Sequence, residues 1–289
     1  MQITHPTLGG IVLRSSLETY DLSTGKVTVV LQSDDRIEAP NWDPSGASLL
    51  VNGGGRLFRV PLADPALVPL DTGFADRCNN DHGISPDGTR IVLSNHRGRG
   101  SEMFLMPAAG GEPVLISPEP PSWWHGWSRD GLLLAYVAAR GGSRVIDVYT
   151  MAVAGGEETR LTFGEGHCDG PDFSADGRSI YYNCDRASPE GSHAQIWVMA
   201  ADGSGQRKLF SDEYVNWFPH PSPCGRHLVY LAYPSGTLGH PTDLPVALCL
   251  CDPEGDGRRR VLEFVGGQGT INVPCWAPDG SAFAYVRYG

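Results

Sequence analysis

Gly126-Trp127-Ser128-Arg129-Asp130-Gly131 is one of six copies of a short turn signal that recurs along the chain. Each copy carries an apolar or aromatic residue four positions before a turn-closing glycine, and a second apolar strand follows it. The other copies are Asn41–Gly46, Gly83–Gly88, Asp172–Gly177, His220–Gly225 and Cys275–Gly280. The six glycines are 42, 43, 46, 48 and 55 residues apart. A period in the forties with strand-type signals is typical of propeller blades of four strands each.

The segments between the signals complete each predicted blade. After Gly131, for example, the apolar strand Leu132–Val137, the alternating strand Asp147–Val153 and the short strand Thr159–Leu161 follow in order. The sixth copy ends after its second strand, whereas Leu17–Leu22 and Lys26–Leu31 resemble third and fourth strands with nothing before them. We therefore predict an all-β, six-bladed β-propeller of four-stranded antiparallel blades, closed by N- and C-terminal strands that share one blade. Residues 1–289 are expected to form this single domain.

Composition and charge limit the classes of binding partner and the cellular compartment that we expect for this protein. The 33 acidic and 22 basic residues give a net charge of −11, which argues against nucleic acid or an anionic membrane as partner. No apolar run reaches the roughly 20 residues that a membrane span needs. Met1–Pro6 lacks the features of a secretory signal, and seven cysteines at these spacings suggest no disulfide framework. We expect a cytoplasmic protein, with a periplasmic one as the alternative if a signal has been removed.

The repeats resemble those of the TolB family, which are related to the propeller repeats of prolyl oligopeptidases. The resemblance is carried by Trp127–Gly131, by Phe173–Gly177, by Ile196–Gly203 and by the ending Arg160-Leu161-Thr162, and it covers essentially the whole chain. No Gly-x-Ser-x-Gly nucleophile signal accompanies it. The resemblance implies a propeller without the N-terminal α/β domain of TolB, and a non-catalytic role in which a protein or peptide is held at one mouth.

Unusual residues concentrate in the long second-to-third loops and in the links between blades, which a meander places on one face. Loops displayed on a rigid scaffold are common binding sites, and aromatic rings there stack on sugars or peptide side chains. The insertions Tyr233–Leu244 and Asp185–His193 should overhang this face. The candidate ligand- or partner-binding residues are Asn80, Asp81, His82, Trp124, His125, His167, Asp169, Asp185, Arg186, Trp217, His220 and His240. We predict no catalytic residue and no cofactor.

An alternative function is a carbohydrate-active lyase or hydrolase with a histidine-rich channel mouth, for which a small carbohydrate is the ligand. His82 and His125 share one position in adjacent repeats, and His167 or His220 could add to them as metal ligands. Propellers that cleave oligogalacturonate resemble this arrangement. Four other repeats carry proline at that position, and no ligand spacing along the sequence supports a metal. We therefore predict no metal, and we interpret the histidines as independently hydrogen-bonded.

Overall fold

The computed structural model describes residues 14–186, 188 and 192–289, and these residues form 23 strands and no helix. The predicted features at Met1–Pro6, and residues 187 and 189–191 of the Asp185–His193 insertion, lie outside the described residues. The strands are β1 (Ser15–Asp21), β2 (Val27–Ser33), β3 (Glu38–Trp42), β4 (Ser48–Gly53), β5 (Arg56–Pro61), β6 (Val68–Pro69), β7 (Cys78–Ile84), β8 (Arg90–Arg97), β9 (Gly100–Pro107), β10 (Val114–Leu115), β11 (Ser122–Trp127), β12 (Leu133–Ala138), β13 (Asp147–Ala152), β14 (Thr159–Arg160), β15 (Cys168–Phe173), β16 (Ser179–Cys184), β17 (Gln195–Ala200), β18 (Arg207–Lys208), β19 (Val215–Pro221), β20 (Leu228–Tyr233), β21 (Leu244–Cys251), β22 (Arg259–Gly266) and β23 (Ala282–Tyr288).

The strands pair with their sequence neighbours in antiparallel meanders, as the repeats predict. Four sheets have four strands each, namely β3 to β6, β7 to β10, β11 to β14 and β15 to β18. A seven-stranded sheet follows the order β19-β20-β21-β22-β23-β1-β2. The apolar second strands are almost entirely buried, whereas the two-residue fourth strands such as β10 and β14 are exposed.

The two ends of the chain share a sheet. β23 pairs with β1 along its whole length, from Ser15 opposite Tyr288 to Asp21 opposite Ala282. β22 joins β23 through one residue pair, Val265 with Tyr288. The predicted pairing of N- and C-terminal strands is therefore confirmed, and the described strand β1 has a partner on each side.

The first strands of successive sheets lie side by side. β3 contacts β7, β7 contacts β11, β11 contacts β15 and β15 contacts β19, while β23 contacts β3. The aromatic residue of the turn signal packs between neighbouring sheets, as the sequence predicts. Trp127 is buried and its Nε1 donates to the carbonyl of Gly83 at 3.3 Å. Trp276 is likewise buried and its Nε1 donates to the carbonyl of His220 at 2.8 Å.

Hydrogen bonds inside the turn signal account for its recurring residues. The hydroxyl of Ser128 donates to Asp130 Oδ1 at 2.6 Å and accepts from the amide of Leu133 at 2.8 Å. Gly131 then closes the turn with a φ of 69°, a conformation that costs glycine least. The serine and aspartate of the turn therefore fix the loop between the first and second strands.

One disulfide corrects the cysteine prediction. Cys168 of β15 and Cys184 of β16 are bonded and lie directly opposite each other, with their Cα atoms 4.0 Å apart. The expectation of no disulfide framework is wrong for this pair, because spacing along the chain does not reveal which residues face each other across two strands. The other five cysteines are free. No helix in the described part of the chain is suited to crossing a membrane.

Candidate functional site at the loop mouth

Pockets with different linings lie at the two ends of the first strands. The end near the turn signals, called here the turn mouth, is lined by apolar rings and prolines, including Pro44, Trp127, Phe173, Pro223 and Trp276. The other end, called here the loop mouth, is defined by the following residues: Asn79, Asn80, Asp81, Trp123, His125, His167, Asp169, His240, Gln268 and Asn272. The polar loops predicted to lie on one face thus surround the loop mouth.

Two adjoining cavities occupy the loop mouth. The larger has a volume of about 510 Å³ and extends past Arg36 and Asp243. The smaller has a volume of about 230 Å³ and includes His125, Asp169 and His240 in its wall. Asp81, Trp123 and Gln268 line both, so the two cavities form one cleft.

A buried hydrogen-bond network crosses the floor of this cleft. His125 Nε2 lies 2.9 Å from Asp169 Oδ1 and 4.0 Å from Asp81 Oδ1. Asn272 Nδ2 donates to Asp81 Oδ1 at 2.6 Å and to the carbonyl of Asn80 at 3.1 Å. Since these residues come from β7, β11, β15 and the segment before β23, the network joins four parts of the chain.

Two further histidines approach Asp169 from the cleft side. His167 Nε2 lies 3.4 Å and His240 Nε2 lies 3.8 Å from Asp169 Oδ2. The ring of His240 is seated against Trp217 at a centroid distance of 4.5 Å and against Phe218 at 5.5 Å. His240 belongs to the β20–β21 insertion, so this loop overhangs the loop mouth, as predicted from its length.

Burial and mutual pairing set the charges in this group. Burial disfavours ionised Asp169, but hydrogen bonds from His125 and His167 outweigh it and hold the pKa of Asp169 well below its usual range. Burial also opposes charge on His125, yet the hydrogen bond to Asp169 prevails and its pKa is raised. Burial of Asp81 outweighs the attraction of the nearby His125, so the pKa of Asp81 rises to about 6. Asp169 is therefore the anionic centre of the loop mouth.

Irregularities in the first strands aim these side chains. β15 has a register shift between Asp169 and Asp172, where Gly170 adopts a φ of 59°. The Gly170 amide donates to Asp169 Oδ1 at 2.7 Å, and a Cβ atom there would lie 2.8 Å from Asn183 Oδ1. Equivalent shifts occur in β3, β7, β11 and β19. Such bulges re-aim side chains where a strand passes a site.

The structure brings together about half of the residues predicted from the sequence. Asn80, Asp81, His125, His167, Asp169 and His240 surround the cleft. Asp185 supports this group from outside the two cavities, whereas Arg186 contacts other residues. Asp185 Oδ1 accepts the backbone amide of His167 at 2.7 Å, and the guanidinium of Arg186 stacks over Trp197 at 3.9 Å. Trp217 is buried beneath His240 and has a packing role.

Three predicted mouth residues lie in the interior, which corrects their assignment. His82 is fully buried, and neither of its ring nitrogens has a hydrogen-bond partner among the described residues. His220 Nδ1 is 3.0 Å from Asp172 Oδ2, and its Nε2 is 2.7 Å from the carbonyl of Ile271, so its ring is already paired. His82 therefore does not join His125 in one ligand set, contrary to the arrangement weighed from the repeats.

Trp124 is the third correction. It is fully buried and packs over Gly83 of the neighbouring first strand, where an added Cβ would lie 2.1 Å from the indole. The pairing of this strand shifts register between Trp124 and Gly126. The residue before Trp124, Trp123, lines the cleft instead. Because neighbouring strand residues point to opposite faces, an error of one position exchanges a core residue for a site residue.

The candidate residues chosen from the sequence leave out several cleft residues, including Glu38, Trp123, Gln268 and Asn272. A usable signal existed for three of them. The residues eight positions before the turn glycines are Glu38, Asn80, Trp123, Asp169, Trp217 and Asn272. Four of these six positions carry polar side chains at the loop mouth, and Trp123 lines the cleft. Gln268 follows β22 in a link whose course the repeats do not specify.

Comparison with known proteins identifies close and distant relatives. No family model matches the chain. An uncharacterised protein of Agrobacterium fabrum is 46% identical over 278 residues, which cover 96% of this chain and 93% of that protein. The Tol-Pal system protein TolB of Anaeromyxobacter dehalogenans is 29% identical over 118 residues, which cover 37% of this chain and 26% of the relative.

Solved structures give the same picture. A candidate TolB from Agrobacterium tumefaciens superposes with a TM-score of 0.92 at 46% identity, covering 96% of this chain and 99% of the other. TolB from Acinetobacter baumannii has a TM-score of 0.67 at 19% identity, and the match covers 88% of this chain and 64% of that one. An oligogalacturonate lyase in complex with manganese has a TM-score of 0.56 at 17% identity, and the match covers 86% of this chain and 73% of that one. At these lower identities the last two share the fold alone.

Proposed function

Because the chain belongs to the TolB-like family of β-propellers, we propose that it is a non-catalytic scaffold that holds a protein or peptide at the loop mouth. The relative from Anaeromyxobacter is named as a protein of the Tol-Pal system, which supports a role in binding partners. The observation that carries the proposal is the cleft formed by two cavities of about 510 and 230 Å³ that share Asp81, Trp123 and Gln268. A rigid sheet scaffold with polar loops at one end is suited to recognition.

The rigid scaffold in this proposal is a ring of six blades. Five blades are the four four-stranded sheets and β19 to β22. The sixth consists of β23, β1 and β2, with Trp276 as its innermost residue, because Trp276 bridges Phe283 of β23. The single Val265–Tyr288 pair links these last two blades into the seven-stranded sheet.

The chemistry of the cleft favours a peptide with a basic side chain. The carboxylates of Glu38, Asp81, Asp169 and Asp243 line it. The guanidinium of Arg36 and the imidazoles of His125 and His167 stand against them. Arg36 is already paired with Asp243 and lies 3.5 Å from Glu38. Side-chain amides of Asn79, Asn80 and Gln268 offer donors and acceptors that match a peptide backbone. Trp123 adds an aromatic wall.

Peptide selection followed by affinity measurement tests the proposal. Displayed random peptides are selected on the immobilised full-length protein, and enriched sequences are measured by fluorescence anisotropy against the wild type, Trp123→Ala and Leu132→Ala. Leu132 is an exposed apolar residue beside the turn signal of the same sheet, so it is the matched control. We expect lysine- or arginine-containing peptides whose affinity falls at least about tenfold in Trp123→Ala, near 1.4 kcal/mol, and is unchanged in Leu132→Ala. Equal affinities in all three proteins would refute the loop mouth as the site.

A carbohydrate-active enzyme is the second candidate function, favoured by one specific observation. His125, His167 and Asp169 meet in a cavity of about 230 Å³ beside Trp123, a residue type that stacks on sugar rings. Histidine and aspartate in hydrogen-bond contact are the groups that acid–base chemistry requires. The structural similarity to an oligogalacturonate lyase agrees with this candidate at the level of fold.

Two product assays separate this candidate from the scaffold. Oligosaccharides that include oligogalacturonides are incubated with the protein, with and without added manganese. A lyase generates unsaturated ends that absorb in the ultraviolet, and a hydrolase generates new reducing ends. The scaffold proposal expects neither product. Turnover that is lost in Asp169→Asn would favour the enzyme.

A further inference from the structure

Three ligand-type atoms converge at the edge of the smaller cavity. His167 Nε2, Asp169 Oδ2 and His240 Nε2 all lie within 4.8 Å of one another. The two imidazole nitrogens are 3.4 and 3.8 Å from the same carboxylate oxygen. Both separations are long, and only that of His167 lies within hydrogen-bond range. They are close to the roughly 3.4 Å between ligand atoms that surround one metal ion tetrahedrally at about 2.1 Å.

Surrounding groups hold the Asp169 carboxylate and the backbone of His167 in place. Asp169 Oδ1 is occupied by His125 Nε2 at 2.9 Å and by the Gly170 amide at 2.7 Å, so Oδ2 is the oxygen that faces His167 and His240. The backbone of His167 is held by Asp185 Oδ1 at 2.7 Å. Partners of this kind orient metal ligands in proteins.

The third side chain, His240, is oriented by packing alone. Its ring sits edge-on to Trp217 at a centroid distance of 4.5 Å. Phe218 lies on another side at 5.5 Å. The loop that carries His240 is anchored nearby, because the hydroxyl of Tyr233 donates to the carbonyl of Pro241 at 2.9 Å. The imidazole is thus presented to Asp169 by a fixed loop segment rather than by a free side chain.

From this geometry we infer that His167, Asp169 and His240 bind one divalent first-row transition-metal ion, with zinc as the reference ion. Two imidazoles and one carboxylate are a common protein ligand set for zinc and related ions. The adjoining cavity of about 230 Å³ leaves room for a fourth, exogenous ligand. Histidine spacing along the chain could not reveal the site, because His240 reaches it from a different blade.

Such an ion would fasten the β20–β21 loop to the neighbouring first strand. His240 comes from the loop between Tyr233 and Leu244, whereas His167 and Asp169 come from the start of β15. Leu238, two residues from His240, is one of the most exposed apolar side chains of the described residues. Metal binding is therefore expected to slow cleavage of this loop by a protease. That readout does not depend on any enzymatic activity.

The test uses the tag-free, full-length protein after chelator treatment and dialysis. Zinc binding is measured by isothermal titration calorimetry, and the coordination is examined by the visible absorption of the cobalt-substituted protein. We expect one ion per chain and an absorption spectrum typical of four-coordinate cobalt. We also expect the bound ion to slow proteolytic cleavage within Gly236–Gly239. His240→Ala and Asp169→Asn are each expected to weaken zinc binding at least about 100-fold, and His125→Ala about 10- to 100-fold.

The matched control is His227→Ala, because His227 stacks on Trp276 away from the loop mouth. We expect it to bind zinc like the wild type. Circular dichroism confirms that each variant is folded before titration. No binding by the wild type, or equal weakening in His227→Ala and His240→Ala, would overturn the inference. Because no peptide is present, this result is independent of the proposed peptide binding.

Discussion

His125 and Asp169 stand on the first strands of neighbouring sheets, and His125 Nε2 is 2.9 Å from Asp169 Oδ1. Both side chains are almost completely buried, at 3% and 10% exposure. This pair couples the wall of the cleft to the packing between two sheets. The site and the stability of the fold are therefore expected to respond to the same substitutions.

Replacement of Asp169 tests that coupling. Asp169→Ala removes the buried acceptor of His125 and leaves the imidazole without its partner, which for buried pairs costs about 3–5 kcal/mol. We expect a decrease of that order in the free energy of unfolding, measured by urea denaturation. Asp64→Ala, at an exposed position, is the control. Equal stability of the two variants would show that the pair contributes little.

The contact between Gly83 and Trp124 gives a packing prediction. A Cβ on Gly83 would lie 2.1 Å from the indole, so Gly83→Ala is expected to destabilise the protein by about 1–3 kcal/mol. The smaller side chain in Trp124→Leu should relieve the clash. In the double variant the added cost of Gly83→Ala should then shrink markedly. Additive losses in the double-mutant cycle would argue against the contact.

The sequence predicts the strands well because each blade is specified locally. The Ser128–Asp130 turn and the apolar strand after it are contained within a few residues, and β12 begins one residue after the predicted Leu132. Which side chains of a first strand face the cleft is not specified by a few neighbouring residues. A register shift between Trp124 and Gly126 accompanies the placement of Trp123 in the cleft, and this facing emerges only when the repeats are aligned on their turn glycines.

The cluster around Asp169 was only partly predictable for a different reason. Polar residues at equivalent positions, such as Asn80 and Asp169, follow from alignment of the repeats. His240 reaches Asp169 through an insertion in another blade, and the course of such a loop depends on tertiary contacts like those with Trp217. The Cys168–Cys184 bond likewise depends on strand register.

Acid should destabilise the protein through His82. Burial lowers the pKa of His82 from 6.5 to about 4, so the folded state favours the neutral ring. The contribution of the neutral ring to the free energy of unfolding is complete above pH 6.5. It is lost as the pH falls towards 4, and the total loss is roughly 3 kcal/mol. Urea denaturation across this interval should show a shallower acid loss in His82→Leu than in the wild type. Parallel pH profiles would contradict the assignment.

Thiol counting checks the disulfide. Of the seven cysteines, only Cys168 and Cys184 are bonded, and Cys224 is the exposed free thiol. A thiol reagent should therefore react with one group in the native protein, with five after denaturation, and with seven after denaturation and reduction. Seven reactive thiols in denatured, unreduced protein would mean that the bond is absent.

Hydrogen–deuterium exchange of the complex locates the bound peptide. If the peptide occupies the loop mouth, exchange is slower in segments that contain Asn79–Asp81, Trp123–His125 and the β20–β21 loop, which border the cleft. Exchange at the turn mouth, around Pro86 and Pro223, should be unchanged. Protection confined to the turn mouth would contradict the loop mouth as the binding site.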